Sequence, residues 1–340
     1  MNLRRRYWIR RSGFAFVALA IVVGLVFALN GTPSGSENAR PTRGTQRSGA
    51  HPKGSAGSAP TQHNSPTTTS TQPAPPAPIR GIPETMTEST FVDSSRSVTS
   101  HGTVLASSRT LPTYVWSPTS GGPFPLVVFV HGYNIGPLSY QRFCSTLASA
   151  GYVVAAPSFP LEDPARGFGL DRNDIPNEAT DVSFAITSLL DQSVARRIDP
   201  TRVAVVGHSD GADVVLLVGY GAGHVDPRIR SVVADAPDPM TGAIQPSTVS
   251  LLLVQGTADS VVPYSSSQEV FGQVQAPVYY VSLVGADHLP PIAGGTSWTP
   301  VLDESVAAFL DATLAGRGGG VESLASTLSA SPLVRFSSKA

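Results

Sequence analysis

VAVVGHSDGAD, residues 203–213, carries the pattern Gly207-x-Ser209-x-Gly211. The apolar run Val203–Val206 before it reads as a buried strand, and Ala212–Val218 behind it reads as a helix. A serine held in such a strand-to-helix turn has a strained backbone. Residues two before and two after must be small, because a side chain there would meet the adjoining strand or helix. Gly207 and Gly211 satisfy that demand. The turn lifts the Ser209 hydroxyl above the sheet and sets it beside a helix N-terminus, whose N–H groups favour developing negative charge. Ser209 is the candidate nucleophile, and the backbone N–H of Asp210 is a candidate oxyanion donor. The side chains of His208 and Asp210 read as secondary to it.

Outward from this turn, short apolar runs alternate with helix-like stretches. Strands are predicted at 113–116, 126–130 (LVVFV), 152–156, 203–206, 231–234, 250–254 and 278–283. Helices are predicted at 139–150, closed by Gly151, and at 177–190, 212–218 and 301–314. This alternation implies an α/β fold, a mostly parallel central sheet with helices on both faces. Reactive groups in such a sheet gather beyond the carboxyl ends of the strands.

That rule selects the partners of Ser209. His288, in VSLVGADHLPP (281–291), follows the last strand and is the last histidine in the chain. It is the candidate base. Asp259, in LLLVQGTADSVVP (251–263), follows the strand before and is the preferred acid. Asp235 and Asp238, after the preceding strand, are alternatives, and Asp287 adjoins the base too closely to fold back on it. The acid would hold one tautomer of His288 and stabilise the imidazolium. The second oxyanion donor falls in His131-Gly132-Tyr133-Asn134, after the LVVFV strand, with the Tyr133 N–H as the candidate. Gly132 permits close backbone approach. The Tyr133 ring reads either as an acyl-pocket wall or as loop packing, and His131 as a residue orienting the loop.

VVFVHGYNIGPLSYQRFCSTLASAGYVVAAPSFP (127–160) resembles the matching stretch of chlorophyllases, cutinase-like bacterial polyester hydrolases and platelet-activating-factor-acetylhydrolase-like proteins. GHSDGA (207–212), GTADSVVP (256–263) and GADHLPP (285–291) fall where that group carries nucleophile, acid and base. The similarity spans about residues 100–315. It implies the α/β-hydrolase fold and hydrolysis of a small-molecule or lipid-like carboxylic ester, with no metal or organic cofactor. Asp210 stands where the polyester hydrolases usually carry Met and chlorophyllases often Arg, and the paired cysteines of many polyester hydrolases are absent. The resemblance therefore implies neither a polymer nor chlorophyll as substrate. Acyl transfer or amide hydrolysis would use the same three residues. A non-catalytic, surface-tethered binding domain is a third reading, which degraded triad positions would favour.

Only 49 residues separate Ser209 from Asp259, and these must hold a helix and two strands. No room remains there for a large lid domain, and an open, shallow cleft is expected. The irregular stretch 158–174 is the only candidate flap.

The flanks carry different signals. Residues 1–30 hold Arg4, Arg5, Arg6, Arg10 and Arg11, then an uncharged apolar run of 17 residues, Gly13–Leu29. At ~1.5 Å per residue that run spans roughly 26 Å, just under a bilayer core. It reads as a signal peptide or an N-terminal membrane anchor, and arginines on its leading side place the chain beyond residue 30 outside the cytoplasm. The domain is thus expected to be membrane-anchored or secreted, with membrane contact through the N-terminal segment only. Arg5-Arg6 also has a faint look of a twin-arginine signal. Residues 31–84 are rich in Ser, Thr, Pro and Gly and read as a disordered tether, leaving 85–340 as the catalytic domain. With 23 basic against 24 acidic residues, the chain offers no basic stripe for nucleic acid. The single cysteine, Cys144, sits in an amphipathic helix pattern and reads as a packed thiol. No sequence signal sets an oligomeric state.

Overall fold

The computed structural model describes residues 81–317, 325–326, 328 and 331–339. The leader and nearly all of the tether lie outside the described residues. Among the described residues, no helix is long and apolar enough to cross a membrane.

In chain order the strands are β1 (Glu84–Asp93), β2 (Val98–Ser100), β3 (Thr103–Ala106), β4 (Arg109–Pro118), β5 (Phe124–Val130), β6 (Val153–Pro157), β7 (Ile198–His208), β8 (Ile229–Asp235), β9 (Ser250–Gly256), β10 (Val278–Leu283) and β11 (Val334–Lys339). The helices are α1 (Gln141–Ser149), α2 (Ile175–Leu190), α3 (Asp210–Tyr220), α4 (Tyr264–Gln273), the single turn α5 (Pro290–Ala293) and α6 (Thr299–Leu310). Nine strands form one sheet in the order β1-β4-β6-β5-β7-β8-β9-β10-β11, and β2 and β3 form a separate hairpin. The six strands from β6 to β10 in that order are parallel. The edges β1, β4 and β11 are antiparallel.

The continuous apolar runs are the parallel strands. A strand buried on both faces sends alternate side chains into opposite layers. Leu126, Val128 and Val130 of β5 join one core layer with residues of α2 and α3, whereas Val127 and Phe129 join the other with α1 and α6. The same division separates Val203 and Val205 from Ala204 and Val206 on β7. Cys144 is fully buried in the second layer, and burial pushes its thiol pKa up. Between Ser209 and Asp259 the chain holds α3, β8 and β9, with an irregular connection over 236–249 and no lid.

One end of the sheet is pinned by a buried charge cluster. Arg109 of β4 is fully buried and binds Asp181 at 2.5 Å and Asp174 at 2.6 Å. Arg96 reaches the same Asp181 at 2.5 Å. Removing one partner of a buried pair leaves an uncompensated charge in a poorly solvating interior. Arg109→Leu is therefore expected to lower unfolding free energy by about 3–5 kcal/mol, read from urea denaturation.

Glu178 of α2 and Glu162 are also fully buried, and neither carboxylate has a hydrogen-bond partner among the described residues. Burial, then the charges of Asp174, Asp181 and Asp210, hold the Glu178 pKa well above its ordinary value. A raised folded-state pKa means that the folded protein holds the proton more tightly than the unfolded chain. Its stabilising contribution is complete below the unfolded value of about 4.3 and is lost as pH rises toward the folded value. Glu178→Gln keeps the shape and removes the titration. Its urea midpoint is expected to gain on the wild type steadily between pH 4 and pH 8, and a pH-independent difference would contradict this assignment.

Candidate functional site

Ser209 occupies the turn between β7 and α3 with φ 59° and ψ −124°. This left-handed backbone is unusual for a residue with a side chain and marks stored strain. The Ser209 N–H donates to the Asp235 carbonyl at 2.9 Å, tying the turn to the end of β8. The small-residue demand at the turn is severe. A Cβ on Gly207 would lie 2.1 Å from the Gly211 carbonyl oxygen, and one on Gly211 would lie 2.2 Å from that of Val130.

His288 and Asp259 lie on the loops after β10 and β9. His288 Nε2 is 3.0 Å from Ser209 Oγ, and His288 Nδ1 is 2.8 Å from Asp259 Oδ2. The other Asp259 oxygen accepts the N–H groups of Val261 and Val262 at 2.9 and 2.8 Å. Burial raises the Asp259 pKa, but the His288 contact and those two N–H groups outweigh it, and the net shift is downward. Asp259 thus stays a carboxylate, aimed by its own loop at the imidazole.

The competing acids do other things. Asp287 accepts the Ser260 N–H and hydroxyl, each at 2.8 Å, and so fastens the His288 loop to the Asp259 loop. Asp235 is buried, and burial followed by the charge of Asp259 pushes its pKa well up. Asp238 lies 3.4 Å from Arg172.

The loop after β5 faces Ser209. A Cβ on Gly132 would stand 3.0 Å from Ser209 Cβ, so glycine sets how closely this loop approaches. His131 is buried, and its Nε2 accepts the Phe159 N–H at 3.1 Å. Its Nδ1 therefore carries the hydrogen and donates to the Gly132 carbonyl at 3.0 Å. Burial lowers the His131 pKa, in keeping with a neutral ring that orients the loop. The Tyr133 side chain is half-buried, and burial and then the charges of Glu162 and Asp210 raise its pKa.

Two contacts escaped sequence reasoning. Arg172 forms a two-pronged ion pair with Asp210, the residue after Ser209, and approaches Asp213 at 3.4 Å. Arg172 belongs to the stretch 158–174, which carries further ties. Ser158 donates to Asp163 at 2.7 Å, Arg166 to the Thr110 carbonyl at 3.0 Å, and Ser100 to Asp171 at 2.6 Å. The candidate flap is a fastened wall of the site. The second contact is Tyr140 Oη, 3.0 Å from His208 Nδ1. No spacing rule links Arg172 to Asp210, 38 residues on, or Tyr140 to His208, 68 residues on.

A mostly parallel sheet with its serine turn after β7 and an acid and a histidine at the ends of β9 and β10 defines the α/β-hydrolase fold. A family model for chlorophyllases matches residues 86–261, from β1 through the Asp259 loop, and the chain belongs to that family. Chlorophyllase-1 of Arabidopsis thaliana is 27% identical over 135 residues, 38% of this chain and 40% of that protein. The chloroplastic chlorophyllase-1 of Citrus sinensis is 29% identical over 118 residues, 34% of this chain and 35% of that protein. The matches therefore span less than half the length of these relatives. In structure, the chain resembles a ferulic acid esterase from Streptomyces cinnamoneus with a TM-score of 0.62, at 21% identity, over 76% of this chain and 98% of that one.

Proposed function

We propose that this protein hydrolyses carboxylic esters through an acyl-enzyme formed on Ser209. The observation that carries the reading is the unbroken line Asp259–His288–Ser209, at 2.8 and 3.0 Å, on a serine held at positive φ. Membership of the chlorophyllase family supports it.

In this reading Ser209 Oγ attacks the ester carbonyl as His288 Nε2 takes its proton. Asp259 holds the Nδ1 hydrogen and stabilises the imidazolium. The negative oxygen of the tetrahedral intermediate accepts N–H bonds from Tyr133 and Asp210. His288 then protonates the leaving alcohol. Water, deprotonated by the same nitrogen, attacks the acyl group, and the bond to Ser209 Oγ breaks as His288 returns the proton to that oxygen and the acid leaves. The Gly132 N–H points instead to Tyr140 Oη at 3.4 Å, which supports Tyr133 as the donor on this loop.

The reading extends to the rest of the chain. The arginine-led apolar leader supports a place outside the cytoplasm, with residues 31–84 tethering a catalytic domain of 85–340. The test is hydrolysis of p-nitrophenyl esters from acetate to palmitate by the whole chain, with mass spectrometry after a serine-directed phosphonate. Turnover with a single adduct on Ser209 is the expected result. A folded protein that neither turns over any ester nor takes the label overturns the reading.

A further inference from the structure

Tyr140 and His208 join the two loops that must face each other across Ser209. Tyr140 is 1% exposed and His208 2%. The Tyr140 ring lies against Phe129 of β5 at 4.8 Å between centroids. The His208 ring lies against that of His288 at 4.6 Å. His208 Nε2 is 3.2 Å from the main-chain carbonyl of His288, and Tyr140 Oη is 3.4 Å from the Gly132 nitrogen.

Only one arrangement of hydrogens satisfies all four groups. A carbonyl accepts only, so His208 Nε2 carries a hydrogen and donates to His288. Burial, and then the neighbouring His288, hold the His208 pKa down at about 3, so the ring is neutral and its Nδ1 is bare. The Tyr140 hydroxyl must then donate to Nδ1, and its oxygen is left to accept the Gly132 N–H. The result is a directed chain, Gly132 N–H to Tyr140 O–H to His208 to the His288 carbonyl. It runs from the loop bearing the Tyr133 donor to the loop bearing the base.

We infer that Tyr140 and His208 are positioning residues that set the distance between the oxyanion loop and the general base. The inference rests on the ester hydrolysis proposed above. Neither side chain transfers a proton in the reaction. A displacement of about 1 Å at a reacting centre can cost on the order of 10²-fold in rate. Such an effect falls on kcat more than on KM, because the substrate is still bound while the charge it develops is poorly met.

The test uses Tyr140→Phe, which removes one oxygen from a buried ring, and His208→Phe, which keeps an aromatic ring and loses both nitrogens. Each is assayed on the p-nitrophenyl ester that the wild type turns over best, beside Ser209→Ala, with urea midpoints for every protein. The expected result is a fall in kcat of about 10- to 100-fold in each, with KM changed less than about threefold. The double variant should be no slower than the slower single one, because both break the same chain. A folded variant of either kind with wild-type kcat overturns the inference, as do losses that multiply in the double variant. Wild-type turnover that survives Ser209→Ala would overturn the esterase reading, and this inference with it. Imidazole nitrogen NMR of the unsubstituted protein gives a check that needs no variant to fold. His208 should appear as the neutral Nε2–H tautomer across pH 5–8, and the Nδ1–H tautomer overturns the inference.

Discussion

Ser209→Ala should reduce ester turnover by a factor of order 10⁴ or more while leaving the protein folded. In the proposed mechanism the hydroxyl alone supplies the attacking atom. His288 Nε2 stands 3.0 Å from Ser209 Oγ and has a bound Asp259 behind it, so the proton transfer is prepared before substrate arrives. On that mechanism, removing the oxygen removes the nucleophile, and His288 and Asp259 lose their task with it. That is why triad residues act as a unit and their losses do not add. Residual turnover would come from the oxyanion donors and substrate binding acting on water. The fold should not notice the change. Alanine suffers the same positive φ as serine at this position, and the Ser209 N–H to Asp235 bond is made by the backbone. Equal urea midpoints and equal circular dichroism, with the kinetic loss, are the expected pair. A variant that loses turnover by unfolding would say nothing about the nucleophile, so the midpoint is measured first. A folded variant retaining a tenth of wild-type turnover would remove Ser209 from the mechanism.

The parts of this molecule that are legible in the sequence are those where one local pattern decides the structure. LVVFV at 126–130 and VAVV at 203–206 are buried on both faces, and runs this short and this rich in valine suit a central strand. Ser209, Asp259 and His288 are legible because each closes a strand at the same edge of the sheet. The edges are not. β1 reads ETMTESTFVD, with most of its side chains exposed, so its apolar residues are too few to mark a strand. The expected boundary of the tether at residue 84 therefore falls on the first residue of β1. β11 pairs with β10 near the carboxyl terminus, where the sequence leaves open whether the tail docks or frays. The serine-rich α4, YSSSQEVFGQ, has weak helix formers and gives no clear helix signal. In the site, His208 reads as secondary because one residue beside a nucleophile carries no sign of what its ring meets. Its partners come from the β5–α1 connection and the loop after β10, and only tertiary structure brings these together. Arg172 is invisible for the same reason.

Gly211→Ala should abolish the folded state, and Gly207→Ala should do the same. On Gly211 the added carbon would sit 2.2 Å from the Val130 carbonyl oxygen, 2.6 Å from that of His131 and 2.7 Å from the Val130 carbonyl carbon. On Gly207 it would sit 2.1 Å from the Gly211 oxygen. Every one of these neighbours is backbone, so no side-chain rotation relieves the overlap. Relief requires α3 to move away from β5 or the turn to open, and either motion breaks the close packing between a central helix and the sheet. The move would also carry Ser209 away from His288 and part the Gly132 loop from Ser209. Stability and activity should therefore disappear together, seen as loss of soluble protein and of the cooperative urea transition. Gly132→Ala makes the contrast. Its Cβ would meet Ser209 Cβ at 3.0 Å and the His208 carbonyl oxygen at 3.1 Å, overlaps that a shift of a few tenths of an ångström in the loop can relieve. That variant should fold and lose turnover, because the shift falls on the loop that carries the Tyr133 N–H. A Gly211→Ala protein with a wild-type transition would mean that α3 can slide on the sheet, and the two glycines would then be conveniences of the turn rather than conditions for it.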